Sequence, residues 1–257
     1  MKSKSVIILF LSILILDIFY PAYSDEFNFN VTELEITENA NIIKGINGGV
    51  VNTKNEEITI TADNFKYNKL TTLLEAEGNV RLVDKVADVI IKSNQIFYLK
   101  NKEEIYTKGK SVAFNGSDIQ IDADQYFKYN KLTSIMEAKG NVKLDDKNEN
   151  VIIYTNEIFY FINEEKIFTL GKTNIDFEDK YNMEGSDLTL LRNEMILSSK
   201  KDVIIVDSES NTYKLEQFQY SIDKEILKGD NIVAITSDKE NKSDEFFFKT
   251  GFFDLKK

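Results

Sequence analysis

The sequence predicts an all-β fold assembled from stacked 31-residue repeats, on three observations. The first is an internal repeat. Residues 66–110 align with 128–172 without a gap, 27 of the 45 positions are identical, and both copies open on KYNKLT. The second is a finer period. Tyr67, Tyr98, Tyr129 and Tyr160 are 31 apart, and so are Gly78, Gly109, Gly140 and Gly171. A fixed period of this size marks a stack in which each unit buries its apolar face against its neighbours. The third is alternation with period 2 inside each unit, which marks strands rather than helices.

The elements follow in chain order. Lys2 and Lys4 precede an apolar run, VIILFLSILIL (Val6–Leu16), and Ala22-Tyr23-Ser24 follows it. This reads as a signal peptide over residues 1–24, cleaved before Asp25. The run is well short of the roughly 20 residues a spanning helix needs. One continuous domain is expected over 25–257. Residues 25–50, with GINGGV (Gly45–Val50), look like an irregular leading cap. Ile58-x-Ile60 and Ile119-x-Ile121 begin strands. In LLEAEGNVRL, Leu74, Ala76, Gly78, Val80 and Leu82 face one way while Glu75, Glu77, Asn79 and Arg81 face the other. Met136, Ala138, Gly140, Val142 and Leu144 repeat the pattern. Polar groups such as YNKLT and KNKEE form the turns.

The earlier copy is one residue shorter between Ala62 and Lys66 than the later one between Ala123 and Lys128. Phe65 and Tyr67 therefore fall out of phase with Ile58, Ile60 and Ala62. A β-bulge near Ala62–Phe65 would restore the facing. The spaced glycines are read as bulge or close-packing positions. Beyond residue 180 the repeat decays, although VIIV (203–206) and FQYSIDKEILKGD (218–230) keep strand character. The tail DEFFFKTGFFDLKK (244–257) holds five phenylalanines. It is expected either to be buried as a final strand or to continue into a further segment.

Composition excludes most chemistry. With no histidine and no cysteine, the chain lacks the usual general base, the commonest transition-metal ligand and any thiolate nucleophile. The lone proline, Pro21, lies in the leader, so nothing interrupts long hydrogen-bonded ladders. A net charge of −11 argues against nucleic acid as a partner. No phosphate-binding glycine loop is present. The acidic clusters DADQ (122–125) and DSES (207–210) sit beside turns and read as solvated surface. No catalytic residues, metal ligands or cofactor are expected, and the chain does not read as an enzyme.

The spacing [AS]-[DN]-x-[FI]-x-Y followed by ExxGNVxL resembles the OstA-like repeat of the lipopolysaccharide-transport family, which includes LptA, LptC and the N-terminal periplasmic domain of LptD. KIFTLGK (166–172), LTLLRNEMILSS (188–199) and FQYSIDKEILKGDNIVAIT (218–236) are more similar to the last of these. The resemblance implies an open, twisted β-jellyroll, often called a β-taco, in the periplasm and associated with the outer membrane. Acyl chains of lipopolysaccharide would lie inside it, and edge-strand pairing would join it to other OstA-like bridge proteins or to an outer-membrane barrel. The expected lipid-facing residues are Ile58, Ile60, Leu74, Val80, Leu82, Val89, Ile91, Met136, Val142, Leu144, Val151 and Ile153. Ordinary core packing accounts for each of these equally well. A closed structural or adhesive β-solenoid without cargo remains the alternative, and a carbohydrate-active β-helical enzyme is disfavoured.

Overall fold

The computed structural model describes residues 26–177, 180–237 and 243–255. The expected signal peptide, residues 1–24, lies outside the described residues. Among the described residues, 21 strand segments form one antiparallel sheet. The segments group into longer stretches of about a dozen residues, because several stretches are broken once in the middle. Ile58–Ala62 and Asn64–Asn68 are two halves of one stretch, as are Ile119–Ala123 and Tyr126–Asn130. Each stretch pairs with the one before it and the one after it in sequence. Leu73–Asp84, for instance, pairs with both halves of 58–68 on one side and with Val89–Leu99 on the other. The fold is thus a long up-and-down meander, and two neighbouring stretches with their turns make one 31-residue period.

The meander is creased along its middle. Leu73–Asp84 and Ile135–Asp146 each shift register, between Glu77 and Val80 and between Lys139 and Val142. Gly78 and Gly140 lie at these shifts with φ of 81° and 89°, and the asparagines after them are also left-handed. Such a pair favours glycine first, because a Cβ is costly there. The asparagine amides then bind acids on the preceding stretch, Asn79 to Asp63 at 2.9 Å and Asn141 to Asp124 at 3.0 Å. The recurrent Gly-Asn of ExxGNVxL is therefore a crease device, consistent with the bulge reading of the spaced glycines. In the alternate stretches, buried hydroxyls line the crease instead: Thr107 with Ser111, and Thr173 with Thr169.

Folding along the crease brings the sheet's apolar face inside. Ile58, Ile60 and Ala62 are buried, the strand breaks at Asp63, and Phe65 and Tyr67 are buried in turn. Gly49 pairs with Ala62 and Gly45 with Phe65. The facing is restored where the sequence placed the bulge, but the surplus residue lies on the flanking strand rather than within 58–68.

The leading segment differs from expectation. Residues 27–53 are not an irregular cap but two regular strands, Phe27–Thr37 and Ile42–Thr53, paired along their length with one bulge between Val31 and Glu33. The phenylalanine-rich tail forms a strand, Ser243–Asp254, which among the described residues pairs only with Ile226–Ser237. It is a final strand, yet it is not buried, with Phe247 and Phe252 70% or more exposed. At the other edge Leu34 and Ile36 are also exposed. Both ends of the folded sheet therefore present apolar side chains to solvent.

Candidate functional site: an apolar interior closed by a polar seam

All the expected lipid-facing residues lie on the inner face. Ile58, Ile60, Leu74, Val80, Leu82, Val89, Ile91, Met136, Val142, Leu144, Val151 and Ile153 are each 2% exposed or less and belong to one continuous apolar cluster. The two halves of the folded sheet pack directly on one another through these side chains. Sequence reasoning left out equally buried members, notably Tyr98, Phe127, Tyr129 and Tyr160. The 31-residue spacing of the tyrosines, and the in-phase alternation of Phe127 with Tyr129, were the available signals. It also left out the C-terminal lining, including Met183, Leu197, Ile205 and Leu227, where the repeat is too decayed to number the positions.

The crease closes one long side of the interior, and the turns close the other. One row of turns holds residues 100–103, 131–134, 162–165 and 192–195. The opposite row holds 54–57, 85–88, 116–118 and 147–150. The rows meet along a seam of polar side chains. Asp84 and Asp146 end their strands on the second row, and both are fully buried. The Asp84 Oδ1 accepts the main-chain N–H of Val86 at 3.0 Å, which fixes its own turn. Its Oδ2 accepts the Tyr129 hydroxyl at 3.2 Å and lies 3.6 Å from the Lys131 ammonium. Asp146 accepts Arg192 Nε at 2.6 Å and Nη2 at 3.3 Å. Between them, the Tyr160 hydroxyl donates to Asn115 at 3.1 Å. Lys131 also reaches Glu57 at 3.3 Å, and Arg192 reaches Asp118 at 3.7 Å.

The electrostatics are those of satisfied buried groups. Among the described residues, no buried side-chain nitrogen or oxygen is without a hydrogen-bond partner. Burial, then the Asp84 charge, raises the Tyr129 hydroxyl well above the ordinary range. Burial likewise raises Tyr160, although Arg192 opposes it. Burial works against the Arg192 charge, but the hydrogen bonds and charge of Asp146 outweigh it and hold the guanidinium protonated.

The acidic clusters singled out in the sequence are engaged locally. Asp122 accepts from Gln120, Asp124 holds the Asn141 amide, and Asp207 accepts the main-chain N–H groups of Glu209 and Asn211. Among the described residues, no group of three or more acidic, histidine or cysteine side chains is placed to hold a metal ion. A concavity of about 930 Å³ lies on the outward side near the C-terminal edge, between Leu191, Ile196, Lys228 and Phe252. None of the expected lipid-facing residues borders it.

No family model and no curated relative matches the chain. Among solved structures it is similar to LptH of Pseudomonas aeruginosa, the LptA-homologous periplasmic component of a lipopolysaccharide transport device. The identity is 12%, over 74% of this chain and 93% of that one, with a TM-score of 0.22. It is also similar to the TCP10 domain of Danio rerio CPAP in complex with a STIL peptide, at 7% identity over 84% and 98% of the two chains and a TM-score of 0.21. Superpositions this loose tie the chain to neither protein.

Proposed function

We propose that the chain is a non-catalytic carrier that holds the acyl chains of lipopolysaccharide against its inner face while the headgroup stays outside. The observation that carries the reading is the continuity of that face, which is apolar from Phe27 to Leu227 and ends at both edges in exposed apolar side chains. Acyl burial recovers about 0.8 kcal/mol per methylene, so such a surface can offset the cost of taking a lipid out of a bilayer. The OstA-like repeat of the sequence points to lipopolysaccharide as the cargo and to the periplasm as its place. An LptD-like position at the outer membrane is the finer form of the reading. The edge strands Phe27–Thr37 and Ser243–Asp254, each paired on one side only among the described residues, offer main-chain groups to bridge proteins of the same architecture.

One observation favours the alternative of a structural β-solenoid without cargo. The inner residues already pack on one another behind a closed seam. The two readings separate by direct capture. A photoreactive amino acid at Val142, irradiated in periplasm-expressed protein, is expected to yield a lipopolysaccharide adduct. A control at the exposed Asn141 is expected to yield none. Folded protein with no adduct at Val142 would leave the solenoid as the better reading.

A further inference from the structure

We propose that the seam is a lateral latch, held by Lys131 and Arg192, through which acyl chains pass sideways into the interior. This rests on the carrier reading and says by which route the cargo arrives. Leu144 and Val142 lie on Ile135–Asp146, which has seven strand stretches on either side of it, the edge stretches included. At about 4.8 Å per strand, threading from either end would displace packed core over more than 30 Å. The seam, by contrast, begins at Asp146, two residues from Leu144.

The covalent and hydrogen-bonded architecture leaves that seam free to part. Main-chain hydrogen bonds between turns run within a row. Lys131 N–H donates to the Glu103 carbonyl and Arg192 N–H to the Glu165 carbonyl. On the opposite row Lys85 N–H donates to Glu57 and Lys147 N–H to Asp118. Among the described residues 54–150 of the second row and 100–195 of the first, no main-chain bond joins one row to the other. Each lip is stitched to itself, and side chains alone hold lip to lip.

Those side chains are suited to separation. A buried ion pair adds little stability over apolar residues of similar volume, because both charges must be stripped of water. When the lips part, Asp84, Asp146, Lys131 and Arg192 regain that water, whereas an apolar seam would expose hydrocarbon. The crease opposite, with its left-handed glycines, is the line about which the lips would move.

The full chain has no cysteine, so introduced thiols report alone. Glu57→Cys with Lys131→Cys, and Asp118→Cys with Arg192→Cys, place thiol pairs across the seam that a short bismaleimide can bridge. With a photoreactive residue at Val142 and purified lipopolysaccharide, bridging is expected to cut capture at least tenfold relative to the unbridged protein. Equal capture in both forms would mean threading from the ends; the carrier reading would stand and the latch would fall. A second measurement needs no lipid. Arg192→Gln is expected to speed maleimide labelling of Leu144→Cys at least tenfold, with little change at Ala138→Cys beside the crease. Equal acceleration at both thiols, or none at Leu144→Cys, would overturn the latch. Selective acceleration without capture in any form would keep the latch and remove the cargo.

Discussion

Arg192 and Asp146 are 46 positions apart in sequence, yet the guanidinium grips the carboxylate through two hydrogen bonds, at 2.6 and 3.3 Å, with the aspartate wholly out of solvent. The contact joins the turn after one strand to the end of another on the opposite lip. It therefore reports on the closure of the whole fold.

Breaking that contact from one side is expected to be costly. Arg192→Leu leaves the Asp146 charge buried without its cation, a loss of about 3–5 kcal/mol. Adding Asp146→Leu should restore most of it, because an apolar pair of similar size replaces two desolvated charges. Urea unfolding of the two single variants and the double variant measures the coupling. Simple addition of the single effects would show that the pair does not act as a unit.

The crease glycines should differ in their tolerance of a methyl group. At Gly140 a Cβ would sit 2.9 Å from the Gln125 main-chain nitrogen, whereas at Gly109 nothing lies within 4 Å. Both carry positive φ, so both alanine variants bear a left-handed penalty of about 1–2 kcal/mol. Gly140→Ala should lose more than Gly109→Ala, since backbone must also move. Denaturation midpoints compared side by side check the order.

Stability should be level through neutral pH and fall in alkali. There is no histidine to titrate near neutrality. Burial raises Tyr98, Tyr129, Tyr160 and Tyr220 above their ordinary value of 10.0. The folded state then holds protons that the unfolded chain releases above pH 10, so stability is full below that point and declines as pH rises further. Thermal midpoints across pH 6–11 should be flat at first and then drop. Tyr129→Phe should soften the drop.

The exposed edge strand invites association. Phe247 is 71% and Phe252 70% exposed on Ser243–Asp254, which has no partner on its far side among the described residues. Unprotected apolar edges pair with other chains. Phe247→Lys should reduce self-association in sedimentation velocity and move the unfolding midpoint by no more than about 0.5 kcal/mol.

Val142 tests the interior with the least disturbance. It is 1% exposed, so Val142→Asp would bury a charge and unsettle the fold. Val142→Thr keeps the volume and adds one hydroxyl, at about 1–3 kcal/mol. Retained β-sheet circular dichroism with weaker lipid capture is the expected result. Undiminished capture would show that acyl chains do not touch this position.

Much of this architecture is legible in the sequence because it is local. Alternation at Leu74, Ala76, Val80 and Leu82 fixes which side chains turn inward, and the 31-residue spacing fixes how strand pairs follow one another. The Gly-Asn pair was legible as a bulge but not as a crease, since its meaning depends on Asp63 and Asp124 across the strand. The seam was not legible at all. Lys131 meets Glu57 and Arg192 meets Asp118, each pair 74 positions apart, and only the accumulated twist of the sheet decides which turns face one another. The regular strands at 27–53 were missed for a simpler reason. Glycines at 45, 48 and 49 look like loop, but Gly45 and Gly49 leave no room for a Cβ beside Val31.

Because each stretch pairs only with its sequence neighbours, the molecule has a natural quantum of length. Removing one stretch would reverse the direction of everything after it and throw the later turns onto the wrong lip. Removing two, about 31 residues, preserves direction and shortens the tube by about 10 Å. The likeness of 66–110 and 128–172, 27 identities in 45 positions, shows which excision is gentlest. A 62-residue cut joins like to like, restoring glycine to glycine and tyrosine to tyrosine at the suture. A chain built this way is a ruler graduated in pairs of strands, and its reach can be set by whole-number changes that keep the ladder in register.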